Sequence, residues 1–107
     1  MSDIINDIRK FNCERDWEQF HTPENLAKSV SIEAGELLEC FQWSGEYRKQ
    51  DVEEEIADVM MYCLMLCDKV GIDPEEAMKK KLIRNREKYP VDKSKGSSKK
   101  YTELGED

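Results

Sequence analysis

Apolar residues recur at helical spacing in four stretches of the chain, separated by short runs of capping and breaking residues. Ile4, Ile5, Ile8 and Phe11 predict a first helix from about Asp3 to Trp17, closed by the segment ERDWEQF. Thr22-Pro23-Glu24 supplies an N-cap, a proline at the first helical position and an acid in the first turn, so a second helix starts there. Leu26, Val30, Ala34, Leu37 and Phe41 form its apolar stripe, which reaches about Trp43 before Ser44-Gly45 ends it. After the loop SGEYRKQ, the spacing of Asp51 to Glu54 fits a capping arrangement and opens a third helix that stops near Val70-Gly71. Asp73-Pro74-Glu75-Glu76 starts a fourth, and Tyr89-Pro90 must stop it, because a residue before proline disfavours helix. From Val91 to Asp107 the chain is rich in lysine and serine and lacks periodicity, which predicts a mobile tail. The pattern therefore predicts an all-α fold, a helical domain over 1–90 in the form of a four-helix bundle, and a tail over 91–107.

The third helix is unusual in what it leaves out. From Ile56 to Cys67, IADVMMYCLMLC, only Asp58 is charged. At about 100° per residue, Ile56, Met60, Cys63, Leu64 and Cys67 form one face while Met61 and Met65 lie nearly opposite, so the helix should be buried nearly all round. Glu55, Asp58 and Tyr62 line up between those stripes as a polar seam. A desolvated carboxylate is costly unless it is protonated, paired or bound to a metal. On the second helix Glu33 and Glu36 share a flank, with Glu39 following. If the two helices pack antiparallel, Glu33-Ala34-Gly35-Glu36 faces Glu55-Ile56-Ala57-Asp58, with Gly35 letting the backbones approach. Four converging carboxylates suit a hard divalent cation, Mg2+ or Mn2+ in its place, and through it a polyphosphate. The competing explanation is chance: with 24 acidic residues in the chain, such spacings also arise on solvated helix faces.

Charge and composition narrow the classes further. A formal net charge of -7 in 107 residues argues against a nucleic-acid polymer as partner, since backbone phosphates need a basic face. Bound metals would still let an acidic protein take a polyanionic substrate. Cys13, Cys40, Cys63 and Cys67 show neither a CxxC pair nor a nearby histidine, so they are expected as reduced, largely buried thiols. No segment approaches a membrane span and the N-terminus lacks a signal pattern, which predicts a cytoplasmic chain. A short chain with two apolar faces on one helix also predicts an oligomer.

These residues carry a resemblance. ExxE at Glu33 and Glu36, followed by ExxD at Glu55 and Asp58, is similar to the MazG-like all-α pyrophosphohydrolases. From Glu14 to Leu104 the ordered segments ERDWEQFHTPENLA, EAGELLECFQW, EEEIADVMMY, NREKYPV and KGSSKKYTEL resemble that family's dCTP pyrophosphatase branch. The resemblance implies hydrolysis of a deoxynucleoside triphosphate to monophosphate and pyrophosphate as nucleotide-pool house-cleaning, with magnesium, in a dimer or dimer of dimers. It implies Glu33, Glu36, Glu55 and Asp58 as metal ligands. Trp17, His21, Trp43 and Tyr62 would surround base and sugar, and Lys81 and Asn85 would contact the nucleotide.

Each assignment has a plainer alternative. The tryptophans would serve equally as core aromatics, Lys81 as a solvated lysine, Tyr62 as a packed tyrosine and His21 as a cap. Glu36, ahead of Glu39, is the expected general base for the attacking water. A dUTP or phosphoribosyl-ATP hydrolase would use the same carboxylates, and a non-enzymatic helical interaction module would use the methionine stripe for a partner. A di-iron oxidase is disfavoured, because no helix supplies an ExxH pair.

Overall fold

In the computed structural model, which describes residues 2–96, the elements follow local capping chemistry. Helix α1 spans Ser2–Glu14, a 3-10 turn Glu18–Phe20, α2 Pro23–Glu39, α3 Lys49–Val70, α4 Pro74–Lys88 and α5 Val91–Ser94. Among the described residues all regular structure is helical.

Helix α1 ends three residues before the expected Trp17. Asp16 adopts a left-handed conformation, with φ 55°. Its N–H donates to the Cys13 carbonyl at 3.1 Å, and the Trp17 N–H donates to the Asn12 carbonyl at 3.0 Å. This pair of bonds is a Schellman close, with aspartate in the position glycine usually holds. It folds Trp17 back onto α1, edge-on to Phe11 at 5.6 Å and 72°.

Helix α2 starts as expected: Thr22 Oγ1 accepts from the Asn25 N–H at 3.1 Å, with Pro23 behind it. It stops at Glu39 rather than near Trp43. Successive i to i+3 bonds from Cys40, Phe41 and Gln42 tighten the last turn and leave Trp43 in the loop. Helix α3 begins at Lys49 with Arg48 as N-cap and no side-chain capping bond, so Asp51 is not the predicted cap. Asp51 instead sits in the first turn, 3.8 Å from the Arg48 guanidinium, where the helix dipole favours an acid. Gly71, at φ 76°, closes α3 where the sequence placed its end.

The chain divides into two compact units, one running to Asp73 and the other beginning at Pro74. In the first, α2 packs along α3, and α1 packs on α3. Leu26, Leu64 and Ile8 form its core. Arg9 is bound to Asp68 on α3 through both carboxylate oxygens, Nε to Oδ2 at 2.8 Å. In the second, α4 carries Glu75 and Glu76 in its first turn and Arg86 and Lys88 in its last, complementing its dipole. Pro90 then caps the short α5 where the sequence predicts unstructured tail from Val91. Residues 97–107 of that tail lie outside the described residues.

Three packing expectations change. Helix α3 is not buried all round in the single chain: Leu64 is buried, but Ile56 is 41% and Met60 55% exposed, because neither α1 nor α2 covers that face. The cysteines are all free thiols, yet Cys13 and Cys63 are exposed and Cys40 and Cys67 half-buried. At Gly35 an added Cβ would meet nothing within 4 Å, so close approach does not require the glycine. No helix among the described residues is long and apolar enough to cross a membrane.

Candidate active site

The α2–α3 pairing brings carboxylates together from both helices. Glu33, Glu55 and Asp58 each present an oxygen, and these oxygens lie within 4.8 Å of one another. All three side chains are half-buried. Glu33 Oε2 and Glu55 Oε2 are sealed from solvent and meet no hydrogen-bond donor. Buried acceptors without donors are rare in folded proteins, and a cation among three such oxygens would satisfy them.

The electrostatics follow from this crowding. Burial, then Glu36, then the charges of Asp58 and Glu55 push the Glu33 carboxyl up to about 7. Burial and the neighbouring Glu36 and Asp58 charges raise Glu55 as well. Glu36 is exposed and outside the triad, though a shared proton would bridge it to Glu33 or Glu55. It stands at the solvent edge of the cluster, while Glu39, at the end of α2, is exposed. Burial, then Glu55, raises the nearby Cys40 thiol, which keeps it neutral rather than a competing thiolate ligand.

Asp58 also lines a cleft of about 410 Å³ between α1 and α3, so carboxylates and cleft are continuous. Trp17, His21 and Tyr62 lie on the same cleft. Trp17 is 45% exposed, so in the single chain it is not a buried core aromatic. Trp43 is 89% exposed, in the loop after α2, and does not line the cleft. Lys81 and Asn85 sit on α4 in the second unit, the lysine exposed and the asparagine half-buried.

The cleft also holds Phe11 and Met65, which the sequence marked only as apolar helix positions, and Asn12, which it did not single out. Phe11 is itself stacked under the Arg15 guanidinium, 3.7 Å from its centroid, and so props Trp17. Asn12 had a legible signal: it stands four residues after Ile8, where the apolar stripe of α1 calls for an aliphatic.

Helices carrying paired carboxylates beside an aromatic cleft define a class, and comparison with known proteins gives it a name. The model of the MazG-like family matches residues 28–104. The chain is 39% identical to dCTP pyrophosphatase 1 of Mus musculus and 40% identical to that of Homo sapiens, over 94% of this chain and 67% of each relative. The crystal structure of a pyrophosphatase from Archaeoglobus fulgidus DSM 4304 superposes with a TM-score of 0.80 at 47% identity, over 84% of this chain and 92% of that one. The chain belongs to the MazG-like family. Its enzyme class is that of the nucleoside triphosphate pyrophosphohydrolases.

Proposed function

We propose that the protein hydrolyses a deoxynucleoside triphosphate, dCTP or a related pyrimidine, to the monophosphate and pyrophosphate, clearing it from the cytoplasmic nucleotide pool. The convergence of Glu33, Glu55 and Asp58, with two buried oxygens lacking donors, at the edge of a cleft large enough for a nucleoside carries this proposal. The similarity to dCTP pyrophosphatase 1 supports the choice of base.

Glu33, Glu55 and Asp58 would hold Mg2+, or Mn2+ in its place, with Glu36 completing the set from the solvent side. When bound, the cation neutralises charge on the phosphoryl oxygens and lowers the pKa of an attacking water. Glu36, open to solvent and next to the triad, takes the proton of that water. Trp17 offers a ring face to the base, held by Phe11, while His21 and Tyr62 line the same cleft as polar partners for base and sugar. Trp43, Lys81 and Asn85 are assigned to the nucleotide on family resemblance alone. The assembly is a dimer or dimer of dimers, with neither a nucleic-acid polymer nor a membrane as partner.

Incubating the protein with each dNTP and Mg2+, and resolving the products by ion exchange, tests this. Equimolar monophosphate and pyrophosphate from a pyrimidine dNTP, abolished by EDTA, is the expected result. No product from any nucleotide would favour a non-enzymatic interaction module.

A further inference from the structure

Asn12, together with Ile8, His21 and Met65, lines both the large cleft and a smaller cavity of about 210 Å³. It is 5% exposed, the buried polar side chain among the described residues. A buried carboxamide has two donor hydrogens and an acceptor oxygen to satisfy, and leaving them unmet is costly. Nδ2 donates to Met65 Sδ at 3.5 Å. Sulfur of a thioether accepts weakly and donates nothing, so this contact fixes which end of the amide faces α3. Oδ1 receives no side-chain hydrogen bond from a described residue, which leaves an acceptor without a donor on a residue that lines both cavities.

We propose that Asn12 is a specificity-determining residue, whose Oδ1 accepts from the exocyclic amine of cytosine and so favours aminopyrimidine over oxopyrimidine nucleotides. The inference rests on the hydrolase activity proposed above and adds to it the group that reads the base. Cytosine presents an amine where uracil and thymine present a carbonyl oxygen. Against Oδ1 that carbonyl sets acceptor against acceptor. Turning the amide over to offer Nδ2 would give up Met65 and point Oδ1 at the sulfur, a second acceptor pair. A site organised to bond a polar group rejects the analogue lacking it far more strongly than an apolar pocket rejects a change of size.

The test compares kcat/KM for dCTP and dUTP in wild type, Asn12→Ala and Met65→Leu, each checked for fold by circular dichroism. Wild type should prefer dCTP. Asn12→Ala should lower that preference by about fivefold or more, through loss on dCTP. Met65→Leu, which frees the amide to turn, should lower it by a similar factor of about fivefold, through gain on dUTP. A wild type without preference for dCTP overturns the inference, as does a folded Asn12→Ala whose preference falls by less. Should Asn12→Ala fail to fold, Met65→Leu decides by the same threshold. If wild type releases no pyrophosphate at all, the proposed activity fails first. Equilibrium binding of dCMP against dUMP then decides the role of Asn12, and equal affinity overturns it.

Discussion

Glu33 on α2 and Asp58 on α3 present carboxylate oxygens within 4.8 Å of each other, with Glu55 completing a triangle. Burial and like charge hold Glu33 up to about 7, so near neutrality the metal-free site keeps a proton that a cation would displace.

That competition has a sign. Glu33 is raised from an ordinary 4.5, so its contribution to metal-free stability is full below pH 4.5 and is lost as pH rises through about 7. The melting temperature of EDTA-treated protein should fall between pH 5 and pH 8, and Glu33→Gln should flatten that fall. Calorimetric titration of Mg2+ at about pH 6, in buffers of different ionisation enthalpy, should show proton release that vanishes at about pH 8.5.

Trp17 is half-exposed, propped by Phe11 and carries no group that can ligate a cation or take a proton, so it should serve binding rather than chemistry. Trp17→Ala should raise KM for dCTP by roughly tenfold to a hundredfold, from about 1 to 3 kcal/mol of lost stacking, with little change in kcat. Its stability loss should stay below the roughly 3 kcal/mol at which core aromatics begin. Steady-state kinetics with a urea melt checks both.

The open face of α3, Ile56 and Met60 with Cys63 one turn on, predicts association. Light scattering at micromolar concentration should report a dimer or larger. Met60→Glu, which would bury an unpaired charge, should weaken association by about tenfold or more. A monomeric wild type would contradict this.

Much of this was legible because it is local. Thr22-Pro23 and Gly71 mark helix ends by capping chemistry confined to a few residues, and the structure repeats them. Paired carboxylates at i and i+3 on neighbouring helices were legible as a cluster. That Glu36 falls outside the triad depends on how α2 is rotated against α3, which only packing decides. The end of α1 was hidden because Asp16 takes a conformation that sequence assigns to glycine, and the return of Trp17 onto Phe11 was hidden with it. The cysteines read as buried because free thiols usually are, and the Ile56–Met60 face because apolar periodicity favours burial, whereas packing decides what a single chain leaves open.

Arg9 and Asp68 pin α1 to α3 behind the cleft. The Arg9 hydrogen bond holds Asp68 below its ordinary 3.8. Its stabilisation is present above pH 3.8 and lost as pH falls through the lower, folded value. Both side chains reach solvent, so Asp68→Ala should cost about 1 kcal/mol or less at pH 6. Urea melts of wild type and variant at pH 6 should differ, and those in acid below the folded value should converge.

The most direct measurement is turnover of dCTP with Mg2+ by wild type and Asp58→Asn, with products resolved and fold checked by thermal melting. Asparagine keeps the shape of Asp58 and removes a charge from the crowded carboxylates, so the variant should melt no lower than wild type without metal. Wild type should yield dCMP and pyrophosphate in equal amounts, and Asp58→Asn should be slower by about a hundredfold or more. A folded Asp58→Asn with near-normal turnover, or a wild type that releases dCDP and phosphate, would contradict the account.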